Sequence, residues 1–163
     1  MSIYKRYDNN GREYYINVNM EGNFLHIGAY DNNNINMASL NSFVGDRKIY
    51  LDSIFCYPFY RNRGIASELL NVLNEYASGS IIYGTYFPFE IGNMELKNEP
   101  DKSATRSFYE KNGYEIVTFD NYIENKDNYP RISETDFGMA RRSSHNAIIY
   151  KKEKTKVKIK ILK

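Results

Sequence analysis

Ile49-Tyr50-Leu51-Asp52-Ser53-Ile54-Phe55-Cys56-Tyr57, then Pro58-Phe59-Tyr60-Arg61-Asn62-Arg63, then Gly64-Ile65-Ala66 and onward to Ala77, is the stretch that decides how this 163-residue chain folds. Its first part is apolar at nearly every position and breaks only at Asp52 and Ser53. That pattern predicts a central strand covered on both faces. From Gly64 the period changes. Apolar residues fall at Ile65, Leu69, Leu70, Val72, Leu73, Tyr76 and Ala77, which is one face of an α-helix. Ser78-Gly79-Ser80 closes it, with Gly79 suited to a left-handed cap. Residues 81–87 supply the next strand, and a strand–helix–strand unit of this length sets its two strands parallel with a right-handed crossover.

Upstream, residues 13–20, 24–30 and 35–44 are rich in β-formers and are separated by turn signals at Glu21-Gly22-Asn23 and Asp31 to Asn34. With Ile49 to Tyr57 they make four strands in meander order. Downstream, residues 88–102 are irregular. Asp101 or Ser103 caps a short helix over 104–112, which Asn112-Gly113 ends. Tyr114 to Ile123 is a strand, 124–144 a polar loop, and Ala147 to Lys152 another strand. Val157, Ile159 and Ile161 alternate with lysines as one further edge strand. The fold class is α/β, a single domain over 1–163 with a mixed sheet and few helices.

Composition removes several classes of function. Aromatic residues make up 15% of the chain, which argues against disorder. A lone cysteine, Cys56, excludes an internal disulfide, and with only His26 and His145 beside it no zinc-type ligand set assembles. No apolar run approaches the roughly 20 residues of a spanning helix. Met1 to Arg6 contains no apolar core of a signal peptide. The expectation is a cytoplasmic, metal-free protein without membrane contact. Net charge is +2, but residues 151–163 carry seven lysines and one glutamate, so the rest of the chain is acidic. An acidic body argues against a nucleic-acid surface, and the basic tail reads as a solvated charge run.

The loop Arg61-Asn62-Arg63-Gly64-Ile65-Ala66 carries the chemistry. The first N–H groups of a helix have no intrahelical partner and a favourable dipole, so a strand-to-helix loop of this kind suits a phosphate or diphosphate. Gly64 and Ala66 keep side chains clear of the ligand, and Arg61 and Arg63 add positive charge. The spacing is neither that of a P-loop nor that of a dinucleotide fingerprint.

It does resemble the acyl-CoA diphosphate loop of GNAT-type N-acetyltransferases, Arg/Gln-x-x-Gly-x-Gly/Ala, matched at Arg61, Gly64 and Ala66, with Pro58 three residues before the arginine. A second match follows in the right order. Phe108-Tyr109-Glu110-Lys111-Asn112-Gly113-Tyr114 is similar to that family's Tyr-Glu-Lys-x-Gly-Phe segment. The resemblance covers residues 24 to 123. It implies a GNAT-like central sheet, mostly antiparallel, and acetyl-CoA as acyl donor. It also implies direct acetyl transfer to the amine of a small molecule or peptide. Ile54, Phe55 and Cys56 would bind the thioester arm through their main chain, and Arg61, Asn62, Arg63, Gly64, Ile65 and Ala66 the diphosphate.

In the same resemblance Tyr109 takes the place of the general acid that protonates the departing thiolate, against the alternative of a packing tyrosine. Asp52, set in an apolar strand, is the candidate base on the argument that a buried carboxylate has a raised pKa; a merely structural aspartate is the alternative. Glu90, Glu95 and Glu99 are rivals. Cys56 is better explained as a small buried hydrophobe than as a nucleophile.

Three departures from the family stand out. Glu21-Gly22-Asn23 leaves no room for the two helices that usually join the first two strands and wall the acceptor pocket. Either the cleft is open or another chain, such as a second copy in a homodimer, supplies the wall. Lys102 replaces an asparagine that often precedes the second motif. Residues 88–102 are longer than usual, and with 124–144 they are expected to line the acceptor site, Phe87 and Phe89 as aromatic walls and Glu90 as a charge for a cationic amine. These departures keep a second class of function open, an acyl-CoA-binding module without catalysis.

Overall fold

Alternation of apolar and polar residues builds an antiparallel meander from the second strand onward. The computed structural model describes residues 2–77, 79–86, 104–118 and 147–151. These fall into two compact units, Met1–Ser80 and Ile81–Lys163, each described in turn.

The first unit contains β1 (Ser2–Tyr7), β2 (Glu13–Glu21), β3 (Phe24–Tyr30), β4 (Asn36–Val44) and β5 (Lys48–Cys56). Each pairs antiparallel with the next. The first of these was not expected: Ser2–Tyr7 is exposed at most positions and carries Lys5 and Arg6, so no apolar alternation marks it. After a short 3₁₀ turn at Pro58–Tyr60 comes α1 (Ile65–Tyr76), which packs on β3, β4 and β5. Leu69, Leu70 and Leu73 of α1 have no exposed surface. They meet a sheet face made of cross-strand rows such as Ile16, Ala29 and Ala38, or Val18, Ile27 and Leu40. Each fully buried aliphatic side chain of this kind contributes about 1.5–3 kcal/mol. The helix ends where the sequence predicts, Ala77 N–H bonding the Leu73 carbonyl at 2.8 Å and Gly79 adopting φ of 80°.

The middle of the other face of this sheet is largely polar, between the aromatic pairs Tyr15–Tyr30 and Phe24–Phe43. Its rows read Asn17, Gly28, Ser39 and Phe55, and Asn19, His26, Asn41 and Ser53. The second row is hydrogen-bonded: His26 Nδ1 lies 2.7 Å from Asn41 Oδ1, and Asn41 Nδ2 donates to Ser53 Oγ at 3.1 Å. Glu21-Gly22-Asn23 is indeed a tight connection from β2 to β3, with no helix in it.

β5 departs from the expected strand covered on both faces. Asp52, Ser53 and Phe55 are exposed. The reason is a β-bulge: Ser42 faces Leu51 while Asn41 faces Ser53, so Asp52 is an extra residue without a partner on β4. The apolar positions accordingly change parity, from Ile49 and Leu51 before the bulge to Ile54 and Cys56 after it. Run together, the two sets look like one continuous apolar strand.

The second unit contains β6 (Ile81–Tyr86), α2 (Ala104–Lys111), β7 (Tyr114–Thr118) and β8 (Ala147–Lys151). β8 lies between β6 and β7, antiparallel to both. α2 packs on β7 and stops at Asn112-Gly113, where Gly113 takes φ of 87° and Asn112 Nδ2 donates to the Phe108 carbonyl at 2.8 Å. Segments 88–102, 124–144 and 157–161 lie outside the described residues.

Candidate functional site

The strand-to-helix loop is shaped by two residues in the left-handed region. Asn62 has φ of 63° and Gly64 φ of 80°. Asparagine tolerates that conformation and glycine adopts it without steric cost. Gly64 is the N-cap of α1, and no side chain caps the helix. The first intrahelical bond runs from Glu68 N–H to the Gly64 carbonyl at 3.1 Å, so the N–H groups of Ile65 and Ala66 have no acceptor among the described residues. An anion is the natural partner of such amides. The donor set fits a diphosphate.

Gly64 is also required for a reason internal to the protein. A Cβ at this position would lie 2.7 Å from Asn9 Oδ1, on the turn between β1 and β2. Asn9 N–H donates to the Arg63 carbonyl at 3.0 Å. This neighbour was not expected from the sequence. The available signal was the cluster Asp8-Asn9-Asn10-Gly11, a turn composition that presupposes a strand before it.

The two arginines of the loop are engaged with the protein. Arg61 Nε donates to the Cys56 carbonyl at 2.9 Å, and its guanidinium lies 5.9 Å from the Phe55 ring. Arg63 stacks on Phe59 and Tyr60 at 5.1 and 5.3 Å. It borders a cavity of about 380 Å³ lined also by Asp8, Arg12, Asp31, Phe59 and Tyr60.

The main-chain groups at the end of β5 alternate in direction. Tyr57 N–H bonds the Met37 carbonyl at 3.1 Å, so it points toward β4. The carbonyl of Cys56, on the opposite edge of that planar peptide, therefore points away from β4. In an extended strand the N–H and C=O of one residue share a direction and alternate residues reverse it. The N–H groups of Cys56 and Ile54 thus face away from β4, and that of Phe55 faces toward it. Two of the three expected main-chain donors are presented on that side of the strand.

Cys56 is half-buried, and burial pushes its thiol above the usual range against the opposing pull of Arg61 and Arg63. That holds the protonated form, consistent with a thiol that is not a nucleophile. Asp52 requires correction. It is exposed at the bulge, so the argument from a buried carboxylate does not hold. Tyr109, in the second unit, is 7% exposed. Its ring packs edge-on against Phe108 at 5.3 Å and Tyr114 at 5.7 Å. Phe87, Phe89, Glu90, Glu95 and Glu99 lie outside the described residues. Among the described residues no group of His, Cys, Asp and Glu is arranged to hold a metal ion.

Solved structures share this fold. The PaiA N-acetyltransferase of Thermoplasma acidophilum, in complex with coenzyme A, superposes with a TM-score of 0.53 at 14% identity, over 80% of this chain and 62% of that one. An acetoin utilization protein of Exiguobacterium sibiricum gives 0.54 at 12% identity, over 82% and 63%. The ribosomal-protein-S18-alanine N-acetyltransferase of Escherichia coli gives 0.51 at 14%, over 84% and 76%. The chain thus spans less than two thirds of the length of the first two. No curated protein matches it in sequence. The family described as acetyltransferase (GNAT) domain matches residues 22–116, more than half of the chain and inclusive of both motifs, and the chain belongs to that family.

Proposed function

We propose that this protein is an acyl-CoA-dependent N-acetyltransferase that moves an acetyl group to a primary amine of a small molecule or peptide. The observation that carries the reading is the uncapped start of α1 at a left-handed Gly64, joined through the Pro58–Tyr60 turn to a bulged strand that turns the amides of Ile54 and Cys56 away from β4. Acetyl-CoA supplies an activated acyl thioester.

The amides of Gly64, Ile65 and Ala66 bind the diphosphate, and Asn62 shapes the turn. Arg61 holds the Cys56 carbonyl, which fixes the strand end. The N–H groups of Ile54 and Cys56 donate to the acyl carbonyl oxygen as negative charge develops there. The acceptor nitrogen forms its bond to the carbonyl carbon and gives up a proton. Asp52, exposed at the bulge, takes that proton through water. Tyr109 donates its phenolic proton to the thiolate as the carbon–sulfur bond breaks.

One observation favours the non-catalytic alternative: the Tyr109 ring is packed as a core residue would be. Incubating the protein with acetyl-CoA, a panel of amines and a thiol reagent separates the readings. CoA release above background is the expected result. Tight acetyl-CoA binding with no release from any amine supports the module instead.

A further inference from the structure

The turn that reaches Gly64 lies outside the segment matched by the family, and its construction is specific. Asp8, 8% exposed, accepts the N–H groups of Asn10 and Arg12 on one carboxylate oxygen at 2.8 and 2.9 Å. Its own N–H bonds the Arg12 carbonyl at 2.9 Å, and Gly11 N–H bonds the Asp8 carbonyl at 3.0 Å. The turn is therefore closed on itself and gives Asn9 little freedom. It is also anchored to α1, since Arg6 at the end of β1 pairs with Glu68 in the first helical turn at 3.0 Å.

From this support Asn9 makes two contacts with the loop. Its N–H takes the Arg63 carbonyl at 3.0 Å, and its side-chain oxygen covers the face of Gly64 where a Cβ would stand. The peptide between Arg63 and Gly64 is planar and trans, so its N–H points opposite to its C=O. Tying the carbonyl to Asn9 therefore aims the Gly64 N–H away from the β1–β2 turn. Without that tie the Arg63–Gly64 peptide can rotate, because glycine places almost no steric restriction on its own φ.

We infer that Asn9 is a positioning residue for the diphosphate site: it orients the Gly64 amide before the ligand arrives. The inference rests on the acetyl-CoA reading above and adds to it an element supplied from outside the family segment. Preorganised donors bind an anion more tightly than donors that must first be ordered.

The test crosses a substitution with a truncated ligand. Acetyl-CoA and S-acetylpantetheine, which lacks the diphosphate and the nucleoside, are titrated into the full chain and followed by NMR. Asn9→Pro removes the backbone donor. It is expected to weaken acetyl-CoA about fivefold to tenfold, the worth of one net hydrogen bond, and to leave S-acetylpantetheine unchanged. Asn9→Ala keeps the donor and loses about twofold. An equal loss for both ligands, or no loss for acetyl-CoA, overturns the inference. Should Asn9→Pro not fold, wild-type amide exchange decides: Asn9 N–H must slow on addition of acetyl-CoA and not of S-acetylpantetheine, and no slowing overturns it. A wild-type protein that binds neither ligand overturns the acetyl-CoA reading itself, and the inference with it.

Discussion

Replacing Gly64 by alanine separates the two reasons this position is glycine. The backbone φ of 80° costs an L-residue about 1–2 kcal/mol. The added methyl would also stand 2.7 Å from Asn9 Oδ1 and 3.3 Å from Asn9 Cγ, so the amide must swing aside and give up its place on the loop. Against these, alanine restricts the unfolded chain and returns about 0.4–1 kcal/mol. The expected net loss is about 1–2 kcal/mol, measured by urea unfolding with circular dichroism because the chain has no tryptophan. In an Asn9→Ala background the contact is already gone and only the dihedral cost remains. The cycle should then show a coupling of about 0.5 kcal/mol or more. Strict additivity would refute the contact argument, and a Gly64→Ala protein as stable as wild type would refute the dihedral one.

Other substitutions address single links. Tyr109→Phe should lower kcat about a hundredfold with little change in Tm; an unchanged kcat would leave Tyr109 a packing residue. Asp52→Asn should lower kcat about tenfold at neutral pH if the exposed carboxylate relays the proton, and a rate equal to wild type removes it from the mechanism. Cys56 should react with iodoacetamide more slowly than a free thiol at neutral pH, because burial raises its pKa and lowers the thiolate fraction, and Cys56→Ala should retain turnover. Tyr14 is held at a pKa of about 12, first by burial and next by the Glu68 carboxylate. Its folded pKa exceeds the unfolded value near 10, so the native state keeps a proton that the unfolded state releases. Stability should fall as pH rises from about 10 to 12, and the fall should be shallower in Tyr14→Phe.

The helix α1 was legible because its apolar residues keep one period from Ile65 to Leu73 and glycines stand at both ends. β2, β3 and β4 were legible because turn residues punctuate them. β1 was not, since Lys5, Arg6 and exposed tyrosines give it no buried face to betray it. The bulge escaped because two correctly phased apolar sets, Ile49 with Leu51 and Ile54 with Cys56, abut without a gap. That error also set Asp52 in the interior, where it does not sit. The loop from Arg61 to Ala66 was readable as a strand-to-helix turn with glycine at its close from local residue types alone. Its neighbour Asn9 was not, because a contact between residues more than fifty positions apart leaves no trace in spacing. The arginines were expected to reach for a ligand, whereas one holds a main-chain carbonyl and the other lies on aromatic rings, contacts to near neighbours that residue type alone does not decide.

Asp52 is a supernumerary residue. Excising it would leave Leu51 opposite Ser42 and Ser53 opposite Asn41, and every later side chain of β5 on the face it now occupies. The architecture is therefore indifferent to its presence, and a chain shortened by this one residue should still assemble. What such a deletion would erase is local curvature, since an inserted residue bends and twists the strand that carries it. Fold and strand curvature usually share their residues; here a single excision pries them apart.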